Sequence, residues 1–469
     1  MSSRDTDMTQ GSVGGLLWRV SAPMSLGILG VLMVGLADAF FLARVGEVEL
    51  AAVGFVYPVI VAVSAFSIGM SAGANTVLSQ AIGRTESGNS LSCRALHAVG
   101  FGALIGLGVG SALWLVAPVL FTALGARGEV HAAILAYLPW WAASFPILVV
   151  TMILNAAFRA GGDGLTPSAL MVATAVVNIA MTPLLVFGIG TIEGLGMAGA
   201  GIATLAARML VGVLALGIAV RRGTIAFGAH TARGFTRSVR DIAAIGLPAA
   251  ASRAVNPAGM ALVTAAAATL GDAAVAGFGA AARVQALCLV PFFALSTGLA
   301  PIIGQAWGAD MQGRARHALR LSAGFALGYG LCAAIVLWIL ADPIAQLMTD
   351  DGTAASYTAQ YLTIVGWSLG GYGLVVTVNA ALTARSKPGW ALGLSLTRIG
   401  VIYVPLAWLG ALTLGFTGIL LAAVAANVIA AWLGMVFAQA NSLLALRALP
   451  IRAPSDRLAH LRRNRHARG

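Results

Sequence analysis

The chain contains its own first half a second time. A shift of 225 positions, the distance from Pro23 to Pro248, lays Pro23–Gly83 on Pro248–Gly308 without a gap. Gly46, Ala51, Gly54, Val59, Ser71, Gly73, Gln80, Ala81 and Gly83 then meet Gly271, Ala276, Gly279, Val284, Ser296, Gly298, Gln305, Ala306 and Gly308. Further on the offset shortens by one residue. Tyr137 meets Tyr361, and Asn155-Ala156-Ala157 meets Asn379-Ala380-Ala381. The repeat is far longer than a solenoid unit. It predicts two large halves with one fold.

Composition decides the medium in which they fold. Of 469 residues, 59% are hydrophobic and 9% charged, against roughly a quarter charged in soluble domains. Apolar runs long enough to cross a ~30 Å hydrocarbon core lie near 16–42, 50–80, 96–120, 132–157, 167–189, 196–219, 242–269, 274–306, 318–341, 357–383, 390–413 and 416–440. The expected fold class is an all-α integral membrane protein. Its twelve transmembrane helices form two six-helix lobes related by a pseudo-twofold axis along the membrane normal. The expected division is a lobe over 1–220, a linker over 221–241, a lobe over 242–445 and a basic tail over 446–469. Ala37-Asp38-Ala39 has the form of a signal-peptidase site, but the run before it is too long for a signal sequence. It reads as an uncleaved first helix.

The net charge of +12 comes from arginines on one side of the spans. Arg84, Arg94, Arg159, Arg221, Arg222, Arg233, Arg237, Arg240, Arg314, Arg316, Arg320, Arg385 and Lys387 share the side of both termini. Arg44 and Arg127 stand on the other, with most of the loop acids. The positive-inside bias predicts cytoplasmic termini, and a single Lys beside 27 Arg suggests a high-GC bacterial genome; the expected location is the bacterial cytoplasmic (inner) membrane, crossed many times. Membrane lipids are its expected partners. No nucleic acid is expected, since no aromatic residues interleave the basic tail. Cys93, Cys288 and Cys332 are scattered, and no spacing suggests a metal. There is no P-loop, nucleophile elbow or paired carboxylate set. No enzymatic activity, cofactor or metal is therefore expected.

Asp38 stands apart. It follows the apolar stretch from Leu26 to Leu36 and lies about 33 Å along a helix starting near Leu16, at ~1.5 Å per residue. That is the outer half of the membrane. An ionisable group inside a span is a functional candidate by default. Its repeat partner is Val263, so the acid belongs to one half alone. Pro23 in the same span is a candidate helix kink. Asn155, Asn178, Thr182 and Thr204 are polar groups in apolar runs that must find partners or line water. Arg208, Arg253 and Arg398 also fall within or near spans.

Val34-Gly35-Leu36-Ala37-Asp38-Ala39-Phe40-Phe41, followed by the run Val45–Gly54, resembles the start of the multidrug and toxic compound extrusion (MATE) transporters. So do Gly69–Gly73 with Ser79–Gly83, the loop Phe158-Arg159-Ala160-Gly161-Gly162-Asp163, and Gly194–Thr204. The likeness runs through both halves and is strongest to the prokaryotic branch of DNA-damage-inducible protein F. It implies a V-shaped cleft between two lobes and export of organic cations or other amphipathic small molecules. The driving force would be H⁺, or Na⁺, moving inward, with Asp38 as the coupling acid. In related members an Asn, a second Asp and a Thr complete a cation site. Asn178 and Thr204 match two of these, and Thr182 stands where the second Asp would be. That weakens a Na⁺ site, since hard cations favour charged oxygen ligands. The apolar and polar cleft lining is expected from Asn155, Met33, Phe41, Tyr57, Trp141 and Met181, in a monomer. The alternative is a flippase for lipid-linked precursors. Arg253 and Arg398 keep it open, because such a protein needs a more basic cavity.

Overall fold

The computed structural model describes residues 7–189, 192–226 and 234–444. The expected basic tail and part of the expected linker lie outside these residues. The first lobe comprises α1 (Val13–Ala43), α2 (Glu47–Gly83), α3 (Gly88–Ala123), α4 (Gly128–Ala160), α5 (Leu165–Phe187) and α6 (Gly196–Arg221). A two-residue antiparallel ladder, Gly188–Ile189 with Ile192–Glu193, joins α5 to α6. The second lobe begins with α7 (Phe235–Ala268), α8 (Asp272–Gly308) and α9 (Gln312–Ile339), with the short α10 (Ala341–Met348) after them. Its fourth span is α11 (Gly352–Val365), a 3₁₀ turn and α12 (Leu369–Ala384). The fifth is α13 (Pro388–Leu396), a π-helical segment Thr397–Tyr403 and α14 (Val404–Leu414), and the sixth is α15 (Phe416–Ala440).

Eleven of these spans are long and apolar enough to cross a membrane. The remaining one, α7, is 34 residues long, alanine-rich, and carries Arg253 between Pro248 and Pro257. With it the architecture has the six plus six helices that the repeat predicts. Helices this long suit the apolar medium, where every backbone polar group must be satisfied within the segment. The prolines inside them are tolerated for the same reason that they are rare in soluble helices: neighbouring side chains can take up the freed groups. Ser168 of α5 also reaches this part of α1, its hydroxyl donating to the Pro23 carbonyl.

The two lobes meet through small residues. Gly73 of α2 lies against Ile242 and Gly246 of α7, and its repeat partner, Gly298 of α8, lies against Ser21 of α1. The first helix of each lobe therefore packs on the second helix of the other. At the end of the molecule that carries the N-terminus and the basic loops, α2 and α8 cross. A Cβ on Gly83 would come within 2.1 Å of the Gln305 carbonyl oxygen, and one on Gly308 within 2.2 Å of the Gln80 carbonyl. Around the crossing the Gln80 amide donates to the Ala384 carbonyl at 2.7 Å, and the Gln305 amide to the Ala160 carbonyl at 2.7 Å. Met8 and Arg314 add further cross-lobe hydrogen bonds at the same end. The lobes are closed there and part toward the other end.

The loop before α5 is fastened from outside. Asp163 Oδ1 accepts from the backbone N–H groups of Leu165 and Thr166, both at 3.0 Å, and Oδ2 pairs with Arg222 at 2.7 Å. Partial burial pushes the Asp163 carboxyl up, but the Thr166 hydrogen bonds and the Arg222 guanidinium outweigh it and hold the group below its ordinary 3.8. A carboxyl lowered in the folded state stabilises the fold above its unfolded pKa and ceases to do so as pH falls through the native value. Wild type should therefore lose thermal stability below about pH 4 by a component that Asp163→Asn lacks, as read in a melting series at falling pH. At the helix crossing, Gly83→Ala and Gly308→Ala should each cost about 1–3 kcal/mol and lower the melting temperature of the purified protein. Gly279→Ala, whose Cβ would meet open space, should not.

Candidate functional site

Asp38 lies near the C-terminal end of α1, half-buried against α5. Its Oδ1 accepts a hydrogen bond from the Thr182 hydroxyl at 3.1 Å. That hydroxyl also lies 2.9 Å from the Asn178 carbonyl, one turn back on α5. The Asn178 amide donates to Thr204 Oγ1 of α6 at 3.3 Å, and the Thr204 hydroxyl donates to the Ala200 carbonyl at 3.0 Å. Asn178, Thr182 and Thr204 are all buried. The helical i to i+4 spacing aligns Asn178 with Thr182 on one face of α5, and close packing of α1, α5 and α6 joins that face to Asp38. The four residues expected to act together are thus in one hydrogen-bonded chain. Arg44, the obvious local partner for Asp38, instead lies over the Phe40 ring at 4.4 Å.

The chain has a proton ambiguity built into it. A threonine hydroxyl has one hydrogen and two acceptor positions. While Asp38 is ionised, the Thr182 hydrogen serves either the carboxylate or the Asn178 carbonyl. Once Asp38 is protonated, its own O–H can donate to Thr182 Oγ1, and the Thr182 hydrogen is free for Asn178. Protonation therefore adds one donor to the network, and Thr182 can then serve Asp38 and Asn178 together. Asn178 Oδ1 is buried and has no hydrogen-bond partner among the described residues.

Sequence reading missed the far wall of this site. Tyr137 of α4 and Arg208 of α6 stand within electrostatic reach of Asp38. Tyr137 also stands beside Thr204. The Arg208 guanidinium donates to the Ser144 hydroxyl at 2.6 Å and lies over the Trp141 ring at 5.3 Å. Among the described residues, no ion pair of 4.0 Å or less joins Arg208 to Asp38. The repeat had marked Tyr137 by its match to Tyr361, but that match alone assigns no neighbour. Among the described residues, no group of three or more His, Cys, Asp or Glu side chains is placed to hold a metal.

A cavity of about 440 Å³ lies between the lobes, above the closed end. The first lobe contributes Met24, Ile28, Val31 and Leu32 of α1, Ile68, Ser71, Asn75 and Thr76 of α2, and Arg159 of α4. The second contributes Arg253 and Asn256 of α7, Phe293 of α8, Tyr372 and Asn379 of α12, and Arg398 of the π-helical segment. None of the six residues expected to form the lining reaches it. Trp141 and Asn155 are buried within the first lobe. Phe41 packs edge-on against Phe187 at 6.3 Å. Met33 and Tyr57 are exposed beyond the cavity, and Met181 stays half-buried on α5. The reason is helical phase. A polar or aromatic side chain in an apolar run is visible in the sequence, but the face it occupies is set by the neighbouring helices. Arg159, assigned by sequence to a basic loop, closes the last turn of α4, where it is buried and donates to the Ser71 hydroxyl at 3.3 Å.

The MatE family matches residues 23–184 and again 248–409, once in each lobe. Over 416 residues the chain is 33% identical to the FAD transporter of Shewanella oneidensis, covering 87% of this chain and 91% of that one. The crystal structure of the Vibrio cholerae MATE transporter VcmN in its bent form superposes with a TM-score of 0.86 at 28% identity, covering 92% of this chain and 97% of VcmN. An outward-facing multidrug resistance transporter of the MATE family shares the fold, with a TM-score of 0.88 at 22% identity over 94% of this chain and 98% of its own. The two-lobe helical architecture, the duplicated match and the relatives agree, and the chain belongs to the MATE family of membrane transporters.

Proposed function

We propose that this protein is a secondary active exporter that moves amphipathic compounds out of the cell by alternating access, in exchange for protons bound at Asp38. The observation that carries this reading is the hydrogen-bonded chain from Asp38 through Thr182 and Asn178 to Thr204. It offers a proton a site where the protonated acid can donate to Thr182 while Thr182 donates onward to the Asn178 carbonyl. The groups facing Asp38 support the same reading from each packed element: Thr182 from α5, Tyr137 from α4 and Arg208 from α6. Ser168, bonded to the Pro23 carbonyl, ties the proline region of α1 to α5. A change of charge at Asp38 would be felt along the α1–α5 contact, and Pro23 is where α1 can yield.

The protein would lie in the bacterial cytoplasmic membrane with both termini inside. Arg84, Arg94, Arg222, Arg314, Arg316, Arg320 and Arg385 gather at the end where the lobes meet, which the positive-inside bias would put in the cytoplasm. The cavity would then face outward. A membrane potential of ~100 mV would contribute about 2.3 kcal/mol per charge returned. One observation favours a second reading, in which Na⁺ replaces H⁺. The unpartnered Asn178 Oδ1 is a free oxygen ligand beside the Asp38 carboxylate chain. The relative named an FAD transporter adds a flavin dinucleotide to the compounds that an assay should include.

In proteoliposomes with an imposed pH gradient and no Na⁺, adding a transported compound should release a proton flux. Asp38→Asn should abolish that flux while leaving the protein folded. Thr182→Val should slow it about fivefold, the worth of one net hydrogen bond of about 1 kcal/mol, and Thr182→Ser should retain it. A flux that appears only with Na⁺ would transfer the coupling to that ion, and Asn178→Ala would then be the variant that abolishes it. Wild type that couples to neither ion would sink the exporter reading.

A further inference from the structure

The central cavity is charged, and with one sign only. Arg159, Arg253 and Arg398 line it, and no aspartate or glutamate does. Asp38 is not among its lining residues. The organic cations expected from the sequence would therefore meet three guanidinium groups and no counter-charge.

The three arginines are held differently. Arg398 is buried and fixed: its guanidinium donates to Asn256 Oδ1 at 2.5 Å and to Asn427 Oδ1 at 2.9 Å, and lies over the Tyr372 ring at 4.8 Å. Asn427 is in turn held by Ser368 at 2.9 Å. These partners orient Arg398 but are neutral, so its charge stays uncompensated. Arg159 is buried at the cavity floor with a hydroxyl as its partner. Arg253 is exposed to the cavity and makes no hydrogen bond or ion pair with any described residue; Tyr372 is the group that senses its charge. A structural role explains Arg398, which bridges three elements. It does not explain Arg253, which bridges nothing. An arginine left with its donors free in a low-dielectric cleft, beside two more whose field adds to its own, is placed to receive an anion.

We infer that this cavity binds amphipathic organic anions, compounds with an aromatic or apolar body and a phosphate or carboxylate head, with Arg253 as the group that grips the head. The fork of a guanidinium matches the paired oxygens of phosphate or carboxylate. Tyr372 and Phe293 beside it, and the apolar side chains of α1 opposite, supply surface for the body. The inference rests on the exporter reading for its purpose but not for its test, since binding to the purified protein requires no transport.

The test is calorimetric titration of the full chain in detergent with naphthyl phosphate, naphthol, ethidium and inorganic phosphate. Naphthyl phosphate should bind about tenfold or more tightly than naphthol or ethidium, and high salt should weaken it. Arg253→Gln should weaken naphthyl phosphate about tenfold or more and leave naphthol unchanged, while Arg253→Lys, which keeps the charge, should recover part of the loss. Ethidium binding more tightly than naphthyl phosphate, or Arg253→Gln leaving naphthyl phosphate unaffected, would overturn the inference. Inorganic phosphate displacing naphthyl phosphate at equal concentration would overturn its claim on an apolar body. Naphthyl phosphate binding that persists in a protein with no coupled flux would retain the anion site and reject the exporter.

Discussion

The contact on which the rest depends is the crossing of α2 and α8 at Gly83 and Gly308. Backbone approaches backbone so closely there that no side chain fits between, and Gln80 and Gln305 each reach across to satisfy a carbonyl at the end of a helix of the opposite lobe. In a bilayer, apolar side chains gain little by leaving lipid for one another. Helices associate instead through close van der Waals packing of small residues and through hydrogen bonds between them. The crossing uses both devices, twice, related by the repeat. It holds the lobes together at one end, and with that end held, the space between α1, α2, α7, α8 and α12 opens at the other.

Duplication supplies a symmetric scaffold, and the chemistry departs from it. Asp38 occupies a position that its second-lobe counterpart fills with Val263, which is buried in apolar surroundings. Arg253 and Arg398, in turn, place charge on the second lobe's side of the cavity. One lobe carries the acid and its hydroxyl and amide chain; the other carries most of the basic wall. A scaffold that keeps the same backbone approaches in both halves leaves side chains free to diverge wherever they do not touch the crossing. The separation has a consequence for coupling. Asp38 lies beyond the α1 residues that line the cavity, about two turns past Val31, so a proton there would influence a ligand through movement of α1 rather than by sharing a site.

Local sequence carried some features further than others. The chain Asp38, Asn178, Thr182 and Thr204 was visible because a polar group in an apolar helix has to find a partner, and the family pattern named which ones. Tyr137 and Arg208 were visible as residues but not as neighbours of Asp38, because α4 and α6 are brought to α1 only by packing. The lining of this cavity was hidden for a related reason. Met33, Phe41, Tyr57, Trp141, Met181 and Asn155 have the side chains of a ligand site, yet a helix turns by about 100° per residue, so an uncertainty of one residue in phase moves a side chain to another face. The π-helical segment Thr397–Tyr403 has no signature that distinguishes it from the helix around it, and it carries Arg398.

By itself, the sequence determined the membrane class, the count of spans, the two-lobe repeat and the asymmetric position of Asp38. Each of these is a property of composition, period or self-similarity along the chain, and the bilayer, by forbidding unsatisfied backbone, leaves almost no other way to fold it. The tertiary structure alone decided which helix faces meet, that the lobes close at the basic end, and that the cavity is lined by arginines with no acid. Those outcomes depend on helix rotation and on contacts between residues more than two hundred positions apart, and no local pattern encodes the angle at which one helix presents itself to another.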